Sequence, residues 1–145
     1  MRVVLLAAIA LLTACGPNAK IDVMFECPSP SGSKLATFYR VSHGDNPINH
    51  EMKINIRNTH RNFDDSMSSF TFKDGFDVII HWDTDQAMRI IYPQDSTLTH
   101  QETVVFGTSQ SFDSTKPIQI SYQQLPSTHG YLMVEQRCFT AKPPS

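Results

Sequence analysis

The sequence lacks several features by which large classes of protein are recognised. It has no run of Lys and Arg, and its 12 basic residues are outnumbered by 14 acidic ones, so nothing favours nucleic acid as a partner. Beyond residue 12 no apolar run exceeds about eight residues, whereas a transmembrane helix needs roughly 20. These absences exclude a nucleic-acid-binding protein and a helix that spans a membrane after residue 12.

The usual catalytic motifs are also missing. There is no G-x-S-x-G sequence and no Gly-rich phosphate loop. None of the six histidines forms an H-x-x-x-H pair, which a helical metal site often uses. The sequence therefore predicts a protein that is not an enzyme and has no cofactor.

A short apolar segment is the clearest feature that is present. It covers residues 3–12 and follows Arg2. About ten apolar residues behind one positive charge are typical of a secretory signal peptide, and they are too few to cross a bilayer. The segment ends in Leu12-Thr13-Ala14-Cys15.

This ending resembles the lipobox of bacterial lipoproteins. In that family a diacylglycerol is attached to the cysteine thiol, the chain is cut before the cysteine, and the new amino terminus is usually acylated. The resemblance implies that residues 1–14 are removed and that Cys15 carries the lipid, which makes the membrane a partner. An ordinary secretory signal that happens to contain a cysteine is the alternative.

The resemblance also bears on location and domain organisation. In Gram-negative members an aspartate after the cysteine favours retention in the inner membrane, and here Gly16 follows instead. We therefore expect the outer membrane, with the protein facing the periplasm. Residues 15–20 are expected to form the lipidated cysteine and tether, residues 21–140 one β domain, and residues 141–145 a tail.

Two further cysteines, Cys27 and Cys138, form an even pair in an exported chain. Export favours oxidation, and we predict a disulfide between them that joins the first and last strands. Closing a loop of roughly a hundred residues stabilises by about 4–5 kcal/mol in the chain-entropy model. Two buried free thiols or an intermolecular bridge are the alternatives.

Short β-rich runs separated by turn residues fill the domain. In the first run Ile21, Val23, Phe25 and Cys27 alternate on one face. No segment keeps the 3.6-residue apolar period of a helix. The sequence predicts an all-β fold, an antiparallel sandwich or open barrel of about eight short strands. The predicted strands cover residues 21–27, 34–41, 51–57, 69–72, 76–82, 87–92, 102–106, 118–122 and 131–139.

Residues 27–38, which read CPSPSGSKLATF, are similar to the S-P-D-G-K-x-x-A-x-F blade motif of periplasmic β-propellers. Serine replaces the aspartate of that motif, and an extra residue separates Gly32 from Lys34. One blade cannot close a propeller, so this resemblance implies a hairpin and no activity. Together with residues 76–92, the segment is similar to small bacterial lipoproteins whose function is unknown.

A second resemblance concerns the lipoprotein inhibitors of c-type lysozyme, which share the pattern of Phe25, Cys27 and Thr37-Phe38-Tyr39. They are small, all-β and lipid-anchored, with a cysteine in the first strand bridged to one near the end. Their inhibitory S-G-S-G-x-x-Y loop is absent, and residues 106–111 (FGTSQS) are a poor substitute. Inhibition of a cell-wall hydrolase is therefore an alternative function.

The densest polar cluster is His81, Asp83 and Asp85, around Trp82. On a strand these three would share one face and could bind a divalent metal or act in acid–base catalysis, as in a metal-assisted hydrolase. The favoured interpretation is structural. Asp83 and Asp85 are turn-forming residues, and His81 lies on the surface opposite the buried Trp82 face.

The function that the sequence favours is a non-enzymatic binding or structural role in the cell envelope, with an envelope protein as a possible partner. Loops on a rigid scaffold carry binding residues, and residues 42–50 and 107–116 are the candidate loops. Four phenylalanines in or near loops either form a partner patch or, as we favour, close the ends of the barrel. They are Phe63, Phe70, Phe72 and Phe112.

Overall fold

The computed structural model describes residues 19–44, 49–75, 77–105, 116–126 and 136–142. Within these ranges the chain forms ten strands and no helix, which confirms the predicted all-β class. The strands are β1 Ala19–Pro28, β2 Lys34–His43, β3 His50–Asn58, β4 Phe70–Lys73, β5 Ile79–Thr84, β6 Ala87–Pro93, β7 Thr97–Gln101, β8 Val104–Val105, β9 Ile118–Leu125 and β10 Cys138–Thr140.

The strands form two five-stranded sheets that pack face to face. The first sheet has the order β1-β2-β3-β4-β7 and the second has the order β10-β5-β6-β9-β8. Of the two predicted architectures, the sandwich is the one observed. The largest core side chains come from both sheets, as expected of a sandwich, and they include Phe38, Met52, Ile54, Phe70, Phe72, Ile80, Trp82 and Ile90.

Strand β3 follows its sequence pattern closely. Met52, Ile54 and Ile56 alternate along it and are buried in the core between the sheets. Phe38 of β2 lies opposite Ile54, so the neighbouring strand adds its own core residue at the same level. The side of β3 that faces the core is therefore the side on which its apolar residues recur with a period of two.

Two strand pairs differ from the predicted antiparallel arrangement. Strand β10 runs parallel to β5, and β9 runs parallel to β6. Parallel neighbours need a connection of a dozen or more residues, and β6 and β9 are indeed separated by β7 and β8. Side-chain periodicity carries no information on strand direction, so the sequence alone could not reveal these two pairs.

Several strand limits also differ. No strand was predicted between residues 92 and 102, but Thr97–Gln101 is a strand that pairs with β4. Its side chains are mostly exposed, so no apolar alternation marks it. The last strand is Cys138–Thr140 instead of 131–139, and residues 131–135 lie outside the described ranges.

Strand β1 contains a β-bulge that changes its faces. Val23 pairs with Tyr39 and Phe25 pairs with Phe38, so Met24 has no partner across the strand. The extra residue turns Val23 away from the core, while Phe25 packs against it. The prediction that Ile21, Val23, Phe25 and Cys27 share one face is therefore wrong, because the face switches at Met24.

The predicted disulfide is confirmed. Cys27 of β1 and Cys138 of β10 are bonded, with an S–S distance of 2.10 Å. Both strands are at the edges of their sheets, so the bond links the two sheets along one side of the sandwich. The indole N–H of Trp82 donates a hydrogen bond of 3.0 Å to the Cys27 carbonyl, and Thr140 Oγ1 donates one of 2.8 Å to the Pro28 carbonyl.

Candidate functional site

His81 and Asp83 lie together on the outer surface of the second sheet. Asp83 Oδ1 is 3.2 Å from His81 Nδ1 and 4.0 Å from the guanidinium of Arg89. The contact with His81 lacks hydrogen-bond geometry. The imidazole stacks on the ring of Phe139 at 6.0 Å, so the neighbouring β10 strand fixes its position. The side chains are 31% and 51% exposed, which places this pair at the surface and not in a cleft.

Asp85 does not join this pair. It lies in the turn between β5 and β6, and its Oδ1 accepts a hydrogen bond of 3.1 Å from the backbone N–H of Ser31. Burial opposes ionisation of Asp85, but hydrogen bonds from Ser31 and Ser29 and the charge of Lys34 outweigh it and lower the pKa. The shared face predicted for the three residues is thus not formed, because the pairing with β6 shifts between Trp82 and Thr84.

The remaining His, Cys, Asp and Glu side chains of the described ranges form no metal site either. Among the residues that the structure describes, no group of three or more His, Cys, Asp or Glu side chains could hold a metal ion. Two of the residues predicted as a candidate site make structural contacts instead. His81 stacks on the ring of Phe139, and Asp85 accepts a hydrogen bond from the turn that contains Ser31.

An extended polar network lies on the outer face of the first sheet, around Arg57. Its guanidinium donates to Thr37 Oγ1 at 2.5 Å, to Asn55 Oδ1 at 3.3 Å and to Glu26 Oε1 at 3.1 Å. The Nε–H donates to the carbonyl of Arg61 at 3.2 Å. Arg57 points away from the core, as its place in the alternation requires, yet its side chain is only 9% exposed.

The segment between β3 and β4 covers this network. Asn55 Nδ2 donates hydrogen bonds to the carbonyls of Met67 and Asp64, at 2.7 and 3.3 Å. The hydroxyl of Tyr39 donates to the carbonyl of Asp65 at 2.8 Å. The polar face of the sheet thus binds the backbone of residues 59–69, and these contacts give the network a structural role.

An aromatic contact completes the cover. The ring of Phe63 meets Tyr39 edge-on at 4.9 Å, and the Arg57 guanidinium lies 5.5 Å from the centre of the Phe63 ring. Burial raises the pKa of Tyr39, and the negative charges of Asp65, Asp64 and Glu51 raise it further. The sequence indicates this arrangement only weakly. Its signals are the polar outer face of β3 and the polar segment 59–69 that follows it and contains one phenylalanine.

A shallow polar depression lies beside the covered region and has a volume of about 340 Å³. The charged side chains there form ion pairs, with Glu51 3.4 Å from Lys53 and 3.7 Å from Lys73. His100 Nε2 lies 3.2 Å from Glu102 Oε1. The remaining lining side chains are hydroxyls, from Ser66, Ser68, Thr71 and Thr99.

The other residues predicted to bind lipid or a partner lie either in the core or outside the described ranges. Phe70 and Phe72 are completely buried in the core and form no exposed patch. Cys15, Phe112, residues 45–48 and residues 106–115 lie outside the described ranges, so the lipidation site, most of the loop at 107–116 and the centre of the loop at 42–50 stay predictions.

No protein-family model, curated protein or solved structure matches this chain. Within the described residues, no helix has both the length and the apolar character needed to cross a membrane.

Proposed function

We propose that this protein is a lipid-anchored component of the bacterial cell envelope, in which the β-sandwich has a non-enzymatic binding or structural role. The observation that carries the proposal is Leu12-Thr13-Ala14-Cys15 at the end of an apolar segment. Acyl chains on Cys15 would hold the domain at the membrane, since each buried CH₂ contributes about 0.8 kcal/mol and two or more chains anchor stably.

The Cys27–Cys138 disulfide supports export. Disulfides of this kind form and persist in oxidising compartments such as the periplasm and are rare in the cytosol. An oxidised pair of cysteines and a signal-peptide-like segment in the same chain are independent indications of one destination.

The contacts of the candidate residues support a non-enzymatic role. Asp85 is used to hold the turn of Ser31, and Arg57 is used to hold the segment that follows β3. Groups that catalyse reactions converge on a common point where a substrate can lie. His81 and Asp83 meet on an open surface, 31% and 51% exposed.

Intact mass of the protein purified from membranes tests the proposal directly. The expected mass lacks residues 1–14 and includes the attached acyl chains, and reduction adds the mass of two hydrogens. A Cys15→Ala variant, which leaves Cys27 and Cys138 untouched, serves as the matched control and is expected to carry no lipid. An unlipidated mass for the unchanged protein would overturn the proposal.

Inhibition of a cell-wall hydrolase is the second candidate. The observation that favours it is the bond between the first strand and the last, which the lysozyme inhibitors share. Lysis of a cell-wall suspension by c-type lysozyme is measured with increasing amounts of the protein. Inhibition that saturates at one molecule per lysozyme would support this function, and an unchanged lysis rate at large excess would overturn it.

A further inference from the structure

Strand β10 is short and lies at the edge of the second sheet. It has three residues and, among the strands described, pairs only with β5. Cys138 is partly buried against the core, and Phe139 stacks on His81 at the outer surface. Thr140 is exposed and donates one hydrogen bond, to the Pro28 carbonyl. Burial of apolar side chains therefore contributes little to holding β10 on the sheet.

The polar contacts of β10 are also few. The ladder with β5 spans three residue pairs. Two more backbone hydrogen bonds of 2.9 Å flank it, from the Ile80 N–H to the Arg137 carbonyl and from the Ala141 N–H to the Trp82 carbonyl. Arg137 forms an ion pair of 2.5 Å with Asp77, and the two side chains are 30% and 24% exposed. One such contact stabilises by about as much as ordering one residue costs, so together they do little more than offset the ordering of the strand.

The disulfide is the strong connection between β10 and the rest of the domain. Cys27 is completely buried and belongs to the core cluster, and it lies in β1, which is paired along its length with β2. Its bond to Cys138 therefore ties β10 covalently to the core. Since β10 is the last strand of the described chain, its detachment requires no other described strand to move.

We propose that the Cys27–Cys138 bond is a redox switch that determines whether β10 stays on the sheet. A dithiol reduces the bond in two exchange steps. Its first thiolate attacks Cys138 Sγ, because Cys27 is completely buried, and this forms a mixed disulfide and displaces the Cys27 thiolate. Its second thiolate then breaks the mixed disulfide. The dithiol thus loses two electrons and two protons, and both cysteines become thiols.

Reduction leaves β10 with its polar contacts alone, and the strand then separates from β5 while the rest of the sandwich stays folded. The backbone groups of Ile80 and Trp82 lose their partners, and the edge of β5 becomes open. An open strand edge can pair with an extended segment of another chain, so the reduced protein presents a surface that the oxidised protein covers. This inference goes beyond the proposed function and does not depend on a lipid at Cys15.

Hydrogen exchange on the mature protein, oxidised and then reduced with dithiothreitol, tests the switch. In the oxidised protein the Ile80 amide is expected to exchange as slowly as the slowest amides of β2 and β3. In the reduced protein it is expected to exchange about tenfold faster than those amides, which report unfolding of the whole domain. An equal increase at Ile80 and in β2 and β3 would overturn the inference, since reduction would then only lower global stability. Unchanged exchange at Ile80 would overturn it as well.

An ion-pair variant separates the disulfide from the other contacts of β10. Asp77→Asn removes the pair with Arg137, and Asp22→Asn, which removes a similarly exposed pair with Arg40 in the first sheet, is the matched control. In the reduced protein only Asp77→Asn is expected to speed exchange at Ile80 further, by about threefold; equal effects of the two variants would contradict release of β10. Faster exchange at Ile80 in the oxidised Asp77→Asn protein would show that the ion pair holds the strand, and would also overturn the inference.

Discussion

Oδ1 of Asp85 accepts a hydrogen bond of 3.1 Å from the backbone N–H of Ser31, which joins the β5–β6 turn of one sheet to the β1–β2 turn of the other. The two residues are 54 positions apart in the chain. Beside them, the disulfide and the Thr140–Pro28 hydrogen bond link the same two sheets. The sheets are thus fastened to each other where β1 ends.

Replacing Asp85 by Ala is expected to lower the free energy of unfolding at pH 7 by about 1 kcal/mol, because the N–H of Ser31 loses its acceptor. The pKa of Asp85 is lowered in the folded protein from 3.8, so its stabilisation is present above that pH and is lost as the pH falls through the folded value. Urea unfolding between pH 2 and 7 measures the free energy of unfolding of both proteins. The difference between the two values should shrink below about pH 4. Asp83→Ala, at an exposed position, is the control, and a difference that stays constant at low pH would contradict the prediction.

Removing the disulfide is expected to be the most destabilising single covalent change. The bond closes a loop of 111 residues, for which the chain-entropy model gives about 4–5 kcal/mol. The Cys27→Ala/Cys138→Ala protein should therefore unfold at much lower urea concentration, as followed by the fluorescence of Trp82, the one tryptophan of the chain. A loss below about 1 kcal/mol would mean that the unfolded chain stays compact without the bond.

The Arg57 network should be worth more than a surface ion pair. Arg57→Ala removes donors to Thr37, Asn55 and Glu26, and we expect a loss of about 2–3 kcal/mol, below the cost of breaking a fully buried pair because Glu26 is 46% exposed. Faster proteolysis within residues 59–69 should accompany it.

Arg40→Ala is the matched control for Arg57→Ala. Arg40 forms an ion pair of 2.9 Å with Asp22, but the two side chains are 37% and 28% exposed, so its loss should cost less than about 1 kcal/mol. Arg57→Lys keeps the charge and loses the planar fork of donors, so we expect an intermediate loss. Equal losses for Arg57→Ala and Arg40→Ala would show that the network contributes no more than the surface pair.

Local pattern predicted those parts of the fold that depend on one strand alone. The alternation of Met52, Ile54 and Ile56 gave the core face of β3, and the cysteine count gave the disulfide. Two apolar runs, at 76–82 and 87–92, predicted the neighbouring strands that the structure shows as β5 and β6. In each case the information lies in neighbouring residues or, for the disulfide, in the even number of cysteines left after Cys15.

The features that the sequence did not reveal depend on contacts between distant segments. The bulge at Met24 shifts the faces of β1 without any change in composition. Strand β7 is defined by its pairing with β4. Arg57 has the spacing of an exposed residue, and its burial depends on the backbone of the segment that follows β3. Asp85 was grouped with His81 by spacing, whereas its partner is the turn of Ser31.

Buried tyrosines should limit the stability of the protein in alkali. Burial is the main reason that the pKa of Tyr39 and that of Tyr122 are raised above 10. Below pH 10 both groups are neutral in the folded and unfolded chains, so they add no pH dependence. Above pH 10 the unfolded chain ionises first, and stability falls as the pH rises toward the folded pKa, by at most about 1.4 kcal/mol per pH unit for each tyrosine.

Tyr39→Phe separates this effect from the loss of a hydrogen bond. The variant loses the bond to the Asp65 carbonyl and should be about 1 kcal/mol less stable at pH 8. Its stability should then fall less steeply between pH 10 and 11.5 than that of the unchanged protein, since one ionising group is gone. Tyr122→Phe, which loses a bond to the Glu102 carbonyl, should flatten the curve in the same way. Parallel curves for all three proteins would show that neither tyrosine governs alkaline unfolding.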